Sequence, residues 1–348
     1  MRLRLFIILF SFLFSLDNIP LKNRLLVPIY IKYGIAIGYN DNVFKFSESE
    51  KDNLESYNYM GPSSTYDSSI LRPDIRLLYS PYIFRGKITN FILYSNFSNY
   101  NNIKDKSNRY YSLRFEYKID SYNWFKIGYK NSQNNFLRYY IDNDIPEENY
   151  SKCDYDSESI FGSYSINLNK YGWVQFQIKK TNHFYNPNFT EFDVGISEFE
   201  AKHNYRYNSY SLGFIISALS ANNNTYNSGL NTTFFDRSYN GTTLGFYISE
   251  KLKNMFLKSW KFGYEYNTRT YLSESELDPL HSGRSHSDYL FYISILKEFE
   301  YNVNLELKYR MRYRDTKSNF DWVESLKSFK DNNILIKISY EMDVDLFY

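Results

Sequence analysis

The feature that most constrains this chain is a two-residue periodicity carried through unusually long segments. From Ile29 to Tyr39 the odd positions are Ile29, Ile31, Tyr33, Ile35, Ile37 and Tyr39, and the even positions between are Tyr30, Lys32, Gly34, Ala36 and Gly38. Successive side chains of a strand point to opposite faces, so one face here is large and apolar and the other small or charged. The pattern recurs over Tyr111–Ile119, Val303–Tyr313 and Ile334–Tyr348. A helix would need apolar residues three and four apart, and no stretch beyond the N-terminal segment sustains that stripe.

Fourteen such segments are expected, at 29–42, 70–80, 83–98, 108–119, 122–132, 158–169, 171–184, 196–207, 209–219, 240–251, 257–268, 287–298, 301–314 and 333–348. At 11 to 16 residues they exceed the five or six of a usual soluble strand. They match what a tilted strand needs to cross a bilayer. The connections alternate without exception. Long ones cover 43–69, 99–107, 133–157, 185–195, 220–239, 269–286 and 315–332, and short ones 80–82, 120–121, Lys170, Asn208, 252–256 and 299–300. An antiparallel sheet then has every long loop at one end, as in a transmembrane barrel with long outer loops and short periplasmic turns. The eight prolines fall before the first strand, at strand starts or in connections, as a fully paired sheet requires. The expected fold class is therefore all-β, a transmembrane antiparallel up-and-down β-barrel of about 14 strands. A secreted sandwich or β-helix would also alternate, but with shorter strands. Segment 83–98 is ambiguous in phase; with Arg85 and Lys87 on the polar side, Phe91 and Leu93 join them. Segment 196–207 can begin earlier, because Phe192, Val194 and Ile196 alternate in the opposite phase.

Arg2 and Arg4 precede an apolar run, Leu5 to Leu16, broken only by Ser11 and Ser15. A basic head and a short apolar core make a signal peptide, too short to span a membrane. Residues 1–16 are read as that signal and 17–348 as a single barrel. Aromatics at 20% argue against disorder. A mean hydropathy of −0.55 argues against a multi-span helical membrane protein. A net charge of +2 leaves no footprint for nucleic acid. The one cysteine, Cys153, has no partner for an intramolecular disulfide or a Cys-rich zinc site.

The chain ends on Tyr348, with Leu346, Val344, Met342 and Tyr340 at every second position before it. This resembles the C-terminal strand of bacterial outer-membrane β-barrel proteins, which usually closes on an aromatic residue, most often Phe. The likeness is to the superfamily, spans the mature chain and names no substrate. It implies insertion by the barrel assembly machinery, with Tyr340, Met342, Val344, Leu346 and Tyr348 as the assembly signal. The strand count resembles the fourteen-stranded channels of that superfamily. The chain lacks the hatch of fatty-acid transporters and the plug domain of TonB-dependent receptors.

Fourteen tilted strands close at a backbone radius of about 14 Å, wide enough for water. The expected pore-lining residues are Arg76, Arg114, Lys118, Lys126, Lys130, Lys308, Arg310, Arg312, Arg314 and Lys337, all on the polar phase. Arg310, Arg312 and Arg314 climb toward the outer mouth. A ladder of guanidinium groups in a confined lumen favours anions. Alternatively, these arginines pair with acidic neighbours or with lipopolysaccharide phosphates at the rim. Tyr33, Tyr39, Tyr117, Tyr129, Tyr266, Tyr313 and Tyr348 lie on the apolar phase near strand ends and read as interfacial girdles. Trp124 and Trp173 lie on the other phase near short turns and read as structural filling.

Other chemistry is thin. The run His281-Ser282-Gly283-Arg284-Ser285-His286-Ser287-Asp288 contains Ser, His and Asp, but triads are made by geometry rather than adjacency. Asp41, Glu48, Glu50 and Asp52 lack the spacing of a calcium loop and read as solvated surface. No Walker or dinucleotide glycine motif is present, and no cofactor, metal or catalytic residue is expected. Three functions stay open: a passive channel for small polar, and on the arginine run anionic, solutes; a surface barrel whose long loops bind an extracellular partner over an occluded lumen; and an outer-membrane hydrolase. Expected partners are outer-membrane lipid and lipopolysaccharide, the barrel assembly machinery and the solutes. Loop 133–157, rich in Tyr, Asn and acids, is the best candidate for a loop that folds inward, and if it does the pore narrows to a selective eyelet.

Overall fold

A computed structural model describes residues 24–53, 56–83, 87–142, 149–253 and 256–345. The signal segment 1–16, Arg85, and Leu346 and Tyr348 of the assembly signal lie outside them. The chain forms fourteen antiparallel strands: β1 (Ile29–Asn40), β2 (Ser68–Tyr79), β3 (Thr89–Tyr100), β4 (Asn108–Asp120), β5 (Asn123–Ile141), β6 (Tyr150–Asn167), β7 (Gly172–Tyr185), β8 (Val194–Tyr207), β9 (Tyr210–Asn223), β10 (Tyr239–Lys251), β11 (Ser259–Tyr271), β12 (Ser285–Glu298), β13 (Val303–Lys317) and β14 (Phe329–Val344). Each pairs with its sequence neighbours and β1 pairs with β14, so the sheet closes without an edge.

The alternation becomes an inside and an outside. Ile37 on β1 is 63% exposed and Ile178 on β7 70%. They belong to an outward belt with Phe214, Ile216, Leu244, Ile336 and Ile338. Such a surface in water would drive aggregation, whereas hydrocarbon solvates it. Ladder bonds to both neighbours run along most of every strand, the condition for strands to sit in lipid.

Small residues on the inward face let large ones cross the wall. Ion pairs tie the closing seam: Lys32 to Glu341 at 2.5 Å, and Lys337 on β14 to Asp74 on β2 at 2.6 Å. The second pair passes over Gly34 of the intervening β1, and a Cβ there would collide with both partners. Gly263 on β11 similarly lies between Tyr247 of β10 and Tyr292 of β12, with the Tyr292 ring filling its missing Cβ position.

Three details differ from the expectations, and one open point resolves. Phe91 and Leu93 face outward, because Phe91 packs between Tyr79 and Phe115 of the flanking strands, at ring distances of 6.1 and 5.5 Å. The strand begins at Thr89 rather than 83; Tyr82 and Ile83 instead bond Arg24 of the N-terminal segment. The open point is the start of β8, which begins at Val194 as the alternation allowed; Val194 and Ile196 pack with Leu219, Ala221 and Tyr239 in a small apolar cluster. Most of 133–157 is not a loop: β5 and β6 continue above the belt as a hairpin and bury Cys153. Two register shifts, between Ser132 and Asn135 and between Phe136 and Arg138, break the period-two pattern there, and Asn134 takes the left-handed conformation that such a bulge needs (φ 57°).

Candidate functional site at the outer mouth

The described segment that packs over the mouth is the first long connection, whereas the described parts of 133–157 are mostly strand. It carries two short helices, α1 (Glu48–Asp52) and α2 (Ser56–Met60). Val43, Phe44, Phe46 and Met60 pack with Ile70, Tyr100, Ile103 and Phe136 into one buried cluster. Phe44 stacks on Phe46 at 5.2 Å and meets Phe136 edge-on at 5.8 Å. Asn42 directs the entry: its amide donates to the carbonyls of Phe46 and Lys330, both at 2.8 Å, and its Oδ1 accepts from the Phe46 N–H. Ser47 and Glu50 form a capping box on α1. Glu50 is also ion-paired to Arg138 of the β5 extension, both buried. Arg138 further donates to the carbonyl of Phe44 at 3.1 Å and lies 5.0 Å from the Phe46 ring. These acids are therefore not all solvated: Glu50 is the anchor of the loop, and Asp41 accepts two bonds from Asn332 at 2.7 and 2.6 Å. A third helix, α3 (Asp321–Lys327), in the last long connection contacts α1.

Beneath this cap the walls converge on a ring of cations. Arg312 and Arg314 both chelate Asp288 of β12, with closest approaches of 3.1 and 2.7 Å. Arg310 reaches Asp331 of β14 at 3.3 Å. The expected ladder is therefore on the inward face, but its members share two carboxylates. Lys45, in the left-handed conformation (φ 57°), comes down from the cap into the field of Arg312, Lys106, Arg314 and Asp331. Burial, then repulsion from Arg312 and Lys106, holds its ammonium well below the usual lysine value. Arg269 stacks on Tyr239 at 4.2 Å, and its charge acts on His183 and Tyr155. Arg312 also acts on Tyr155, although β13 and β6 are on opposite sides of the closed sheet.

The other expected pore-lining residues lie lower on the inward phase. Arg114 pairs with Glu116 at 2.7 Å, Lys308 with Glu306 at 2.9 Å, and Lys337 with Asp74. Lys118 and Lys126 flank the Trp124 ring at 5.6 and 5.8 Å, and Lys130 lies 4.9 Å from Phe161. Arg76 is exposed on the same phase. Trp173 stacks on Tyr122 of a short turn at 4.6 Å, in keeping with structural filling. Lys45, Lys106, Arg138, Arg269 and Lys327 were missing from the expected set because each lies in a connection or beyond the expected strand end. The one signal was the Val43-Phe44-x-Phe46 run, too apolar for a solvated loop.

The Ser/His/Asp run does not assemble a relay. Asp288 is held by the two arginines, His286 Nδ1 is 2.9 Å from Thr316 Oγ1, and His281 Nδ1 is 2.9 Å from both oxygens of Asp278. Among the described residues no group of three metal-ligating side chains converges.

The cap carries a titratable element. Lys327 of α3 is held down to about 7, by burial first and then by Arg138 and Arg284, with Glu50 opposing. Lys106 is held to about 8, again chiefly by burial. A lysine whose folded value is depressed contributes most to stability above its unfolded value of 10.5, and that contribution is lost as pH falls toward the folded value. Acidification from pH 9 to 6 should therefore charge the cap, loosen it and raise anion preference. Reversal potentials at the two pH values check this, and Lys327→Met should remove much of the change.

No protein-family model and no curated protein matches the chain. Solved structures do. OmpT, an outer membrane protein of Vibrio cholerae, is 11% identical, covering 90% of this chain and 98% of that one, with a TM-score of 0.44. OccAB4 of Acinetobacter baumannii is 8% identical over 91% and 99%, with a TM-score of 0.43. An anion-selective porin from Comamonas acidovorans is 6% identical over 90% and 98%, with a TM-score of 0.40. The likeness is one of architecture.

Proposed function

We propose that this β-barrel is a passive channel of a bacterial outer membrane for small polar solutes, with a mouth that favours anions. One observation carries the reading: beneath the cap, on the adjacent strands β11 to β14, Arg269, Arg310, Arg312 and Arg314 stand with only Asp288 and Asp331 among them. Confined cations that outnumber carboxylates select anions by charge and admit them by size. On this reading the lysines of the lower lumen, from Lys126 and Lys130 to Lys308 and Lys337, carry the solute onward. Export by the 1–16 signal and insertion through the C-terminal strand belong to the same proposal, as does the absence of catalysis.

A second reading is supported by the cap itself. The Glu50–Arg138 pair and the contact of α1 with α3 suit an occluded barrel whose loops bind a partner. Conductance of the refolded mature protein in a planar bilayer under a salt gradient separates the two. Stable steps with an anionic reversal potential are expected. Cationic preference would discard the arginine ring as the filter. No steps from protein that still migrates faster unheated than boiled would favour the occluded barrel.

A further inference from the structure

One stretch of the inner wall beneath the cap holds guanidinium groups that no carboxylate answers. On the inward phase Arg269 of β11 lies opposite His286 of β12, and Tyr271, two residues further along β11, donates its N–H to the carbonyl of Arg284 at 3.0 Å. Arg284 lies 3.9 Å from the centre of the Tyr271 ring, and Arg269 lies 4.2 Å from that of Tyr239. Tyr239 and Tyr271 are cross-strand partners, with ring centres 5.6 Å apart. The two arginines thus lean the same way, each over one of two adjacent rings. A ring face compensates a cation only in part. Arg284 is 5% exposed and its Nε has no acceptor, and among the described residues neither arginine forms an ion pair. A buried charge without a counter-ion is costly. The acids around them are engaged elsewhere. Asp288 is held by Arg312 and Arg314, Asp278 by Ser273 and His281, Asp193 by the Tyr185 N–H and Asp236 by the Ser238 N–H. The charge of Glu191 acts on Arg237, and Glu274 and Glu276 are exposed on the loop above.

Beside the two rings the inner wall is apolar. Ala221 of β9 lies opposite Tyr239, and Ile196 of β8 lies opposite Ala221. With Val194 and Leu219 they form one cluster, in which Ile196, Leu219 and Tyr271 keep part of their surface open. Next in register, His183 of β7 lies opposite Val194, and Tyr155 of β6 packs against His183 and Tyr185 at 4.7 and 5.0 Å. The charge of Arg269 acts on both His183 and Tyr155. Water in a lumen gains nothing from such a surface, whereas a solute with an apolar body does.

We propose that this inner wall is a binding site for a phosphate monoester with an aromatic body, Arg269 and Arg284 holding the phosphate and the neighbouring rings and aliphatic side chains holding the body. Charge selects the head group. Two uncompensated cations match the dianion that a phosphate monoester carries above its second pKa of about 6. A carboxylate would leave one of them unanswered. Guanidinium groups offer donors in a planar fork, and the phosphate oxygens accept them in pairs. Shape selects the body, because an aryl group packs against the rings of Tyr155 and Tyr239 and the open sides of Ile196 and Leu219. Inorganic phosphate would use the arginines alone. The proposal rests on the channel reading for the way in, and its test needs no current, so the two can fail separately.

Phenyl phosphate is the probe, with refolded mature protein in detergent at about pH 7.5, where the monoester is mostly a dianion. Retention is read by equilibrium dialysis, and faster migration unheated verifies that each sample is folded. The wild type should bind phenyl phosphate about tenfold more tightly than inorganic phosphate, the share of the buried ring. It should prefer phenyl phosphate to benzoate by a similar factor. Arg269→Gln with Arg284→Gln should weaken phenyl phosphate about thirtyfold. Should that variant fail to fold, Leu219→Ser should narrow the preference for phenyl over inorganic phosphate and leave inorganic phosphate itself unchanged. Equal affinity for the two phosphates would mean a bare phosphate site and overturn the proposal. Equal affinity for benzoate would mean that one charge suffices, and would overturn it too, as would unchanged binding by the folded double variant. No retention by protein that gives anionic steps in a bilayer would end this inference and leave the channel standing. Retention by folded protein that gives no steps would keep the site and sink the channel.

Discussion

Arg312→Glu with Arg314→Glu is expected to turn an anion-preferring channel into a cation-preferring one, with the sign of the reversal potential inverted. At this mouth the cations Arg269, Arg310, Arg312 and Arg314 stand against Asp288 and Asp331; the double variant leaves two cations against four carboxylates. In water each unit charge about 4 Å from a passing ion is worth about 1 kcal/mol. A change of four charges therefore exceeds the 1.4 kcal/mol that shifts a partition tenfold. Pairing does not cancel the effect. Asp288 is one carboxylate shared by two guanidinium groups, so a cationic surplus remains before substitution and an anionic one afterwards. Asp288→Asn is the opposite probe, and should strengthen anion preference by freeing both arginines. Unchanged selectivity in both variants, with gel migration intact, would move the filter elsewhere in the lumen.

The wall of this barrel was legible because lipid and lumen impose opposite demands at every second residue. Ile29 to Tyr39 or Val303 to Tyr313 could meet them only as strands, and each lies inside one. The alternating connection lengths carried the topology for the same reason. Legibility failed where alternation no longer has two solvents to report. Above the belt, β5 and β6 face water and loops rather than lipid, and two bulges shift the phase, so Phe136 and Arg138 read as loop residues. The phase of β3 depended on a cross-strand packing, Tyr79 with Phe91 and Phe115, that a single segment does not contain. The arginine ladder was visible as a row on β13. Its acidic partners come from β12 and β14, and the choice between a free ladder and a paired one required their register. Lys45 was not legible at all, since its entry depends on Asn42 reaching the carbonyl of Lys330, across the closing seam of the barrel.

Replacing residues 43–66 by a short Gly-Ser turn is expected to at least double single-channel conductance while the barrel still folds. The cap is bound to the wall by side chains and not by ladder bonds. Its ends, Asn40 and Ser68, are already opposed in the β1–β2 register, so a hairpin turn can join the strands without strain. The loss falls on the cluster of Phe44, Phe46 and Met60 against Ile103 and Phe136, at about 1.5–3 kcal/mol for each large side chain no longer buried. That cost is borne at the mouth, where detergent or lipid can cover Phe136, and leaves the belt untouched. Arg138 loses Glu50 but gains water, so it is not stranded. Arg138→Ala within the full-length loop is the harsher local test. Breaking a buried ion pair from one side costs about 3–5 kcal/mol, and the cap should then open intermittently, seen as fast current flicker and early proteolysis within 43–66. If the wild type shows no steps and the deletion does, the barrel is an occluded one whose loops are its working surface. If neither variant alters conductance, the constriction lies in the wall itself, at the level of Arg269, Arg312 and Tyr155, and the cap serves only to anchor the loops above it.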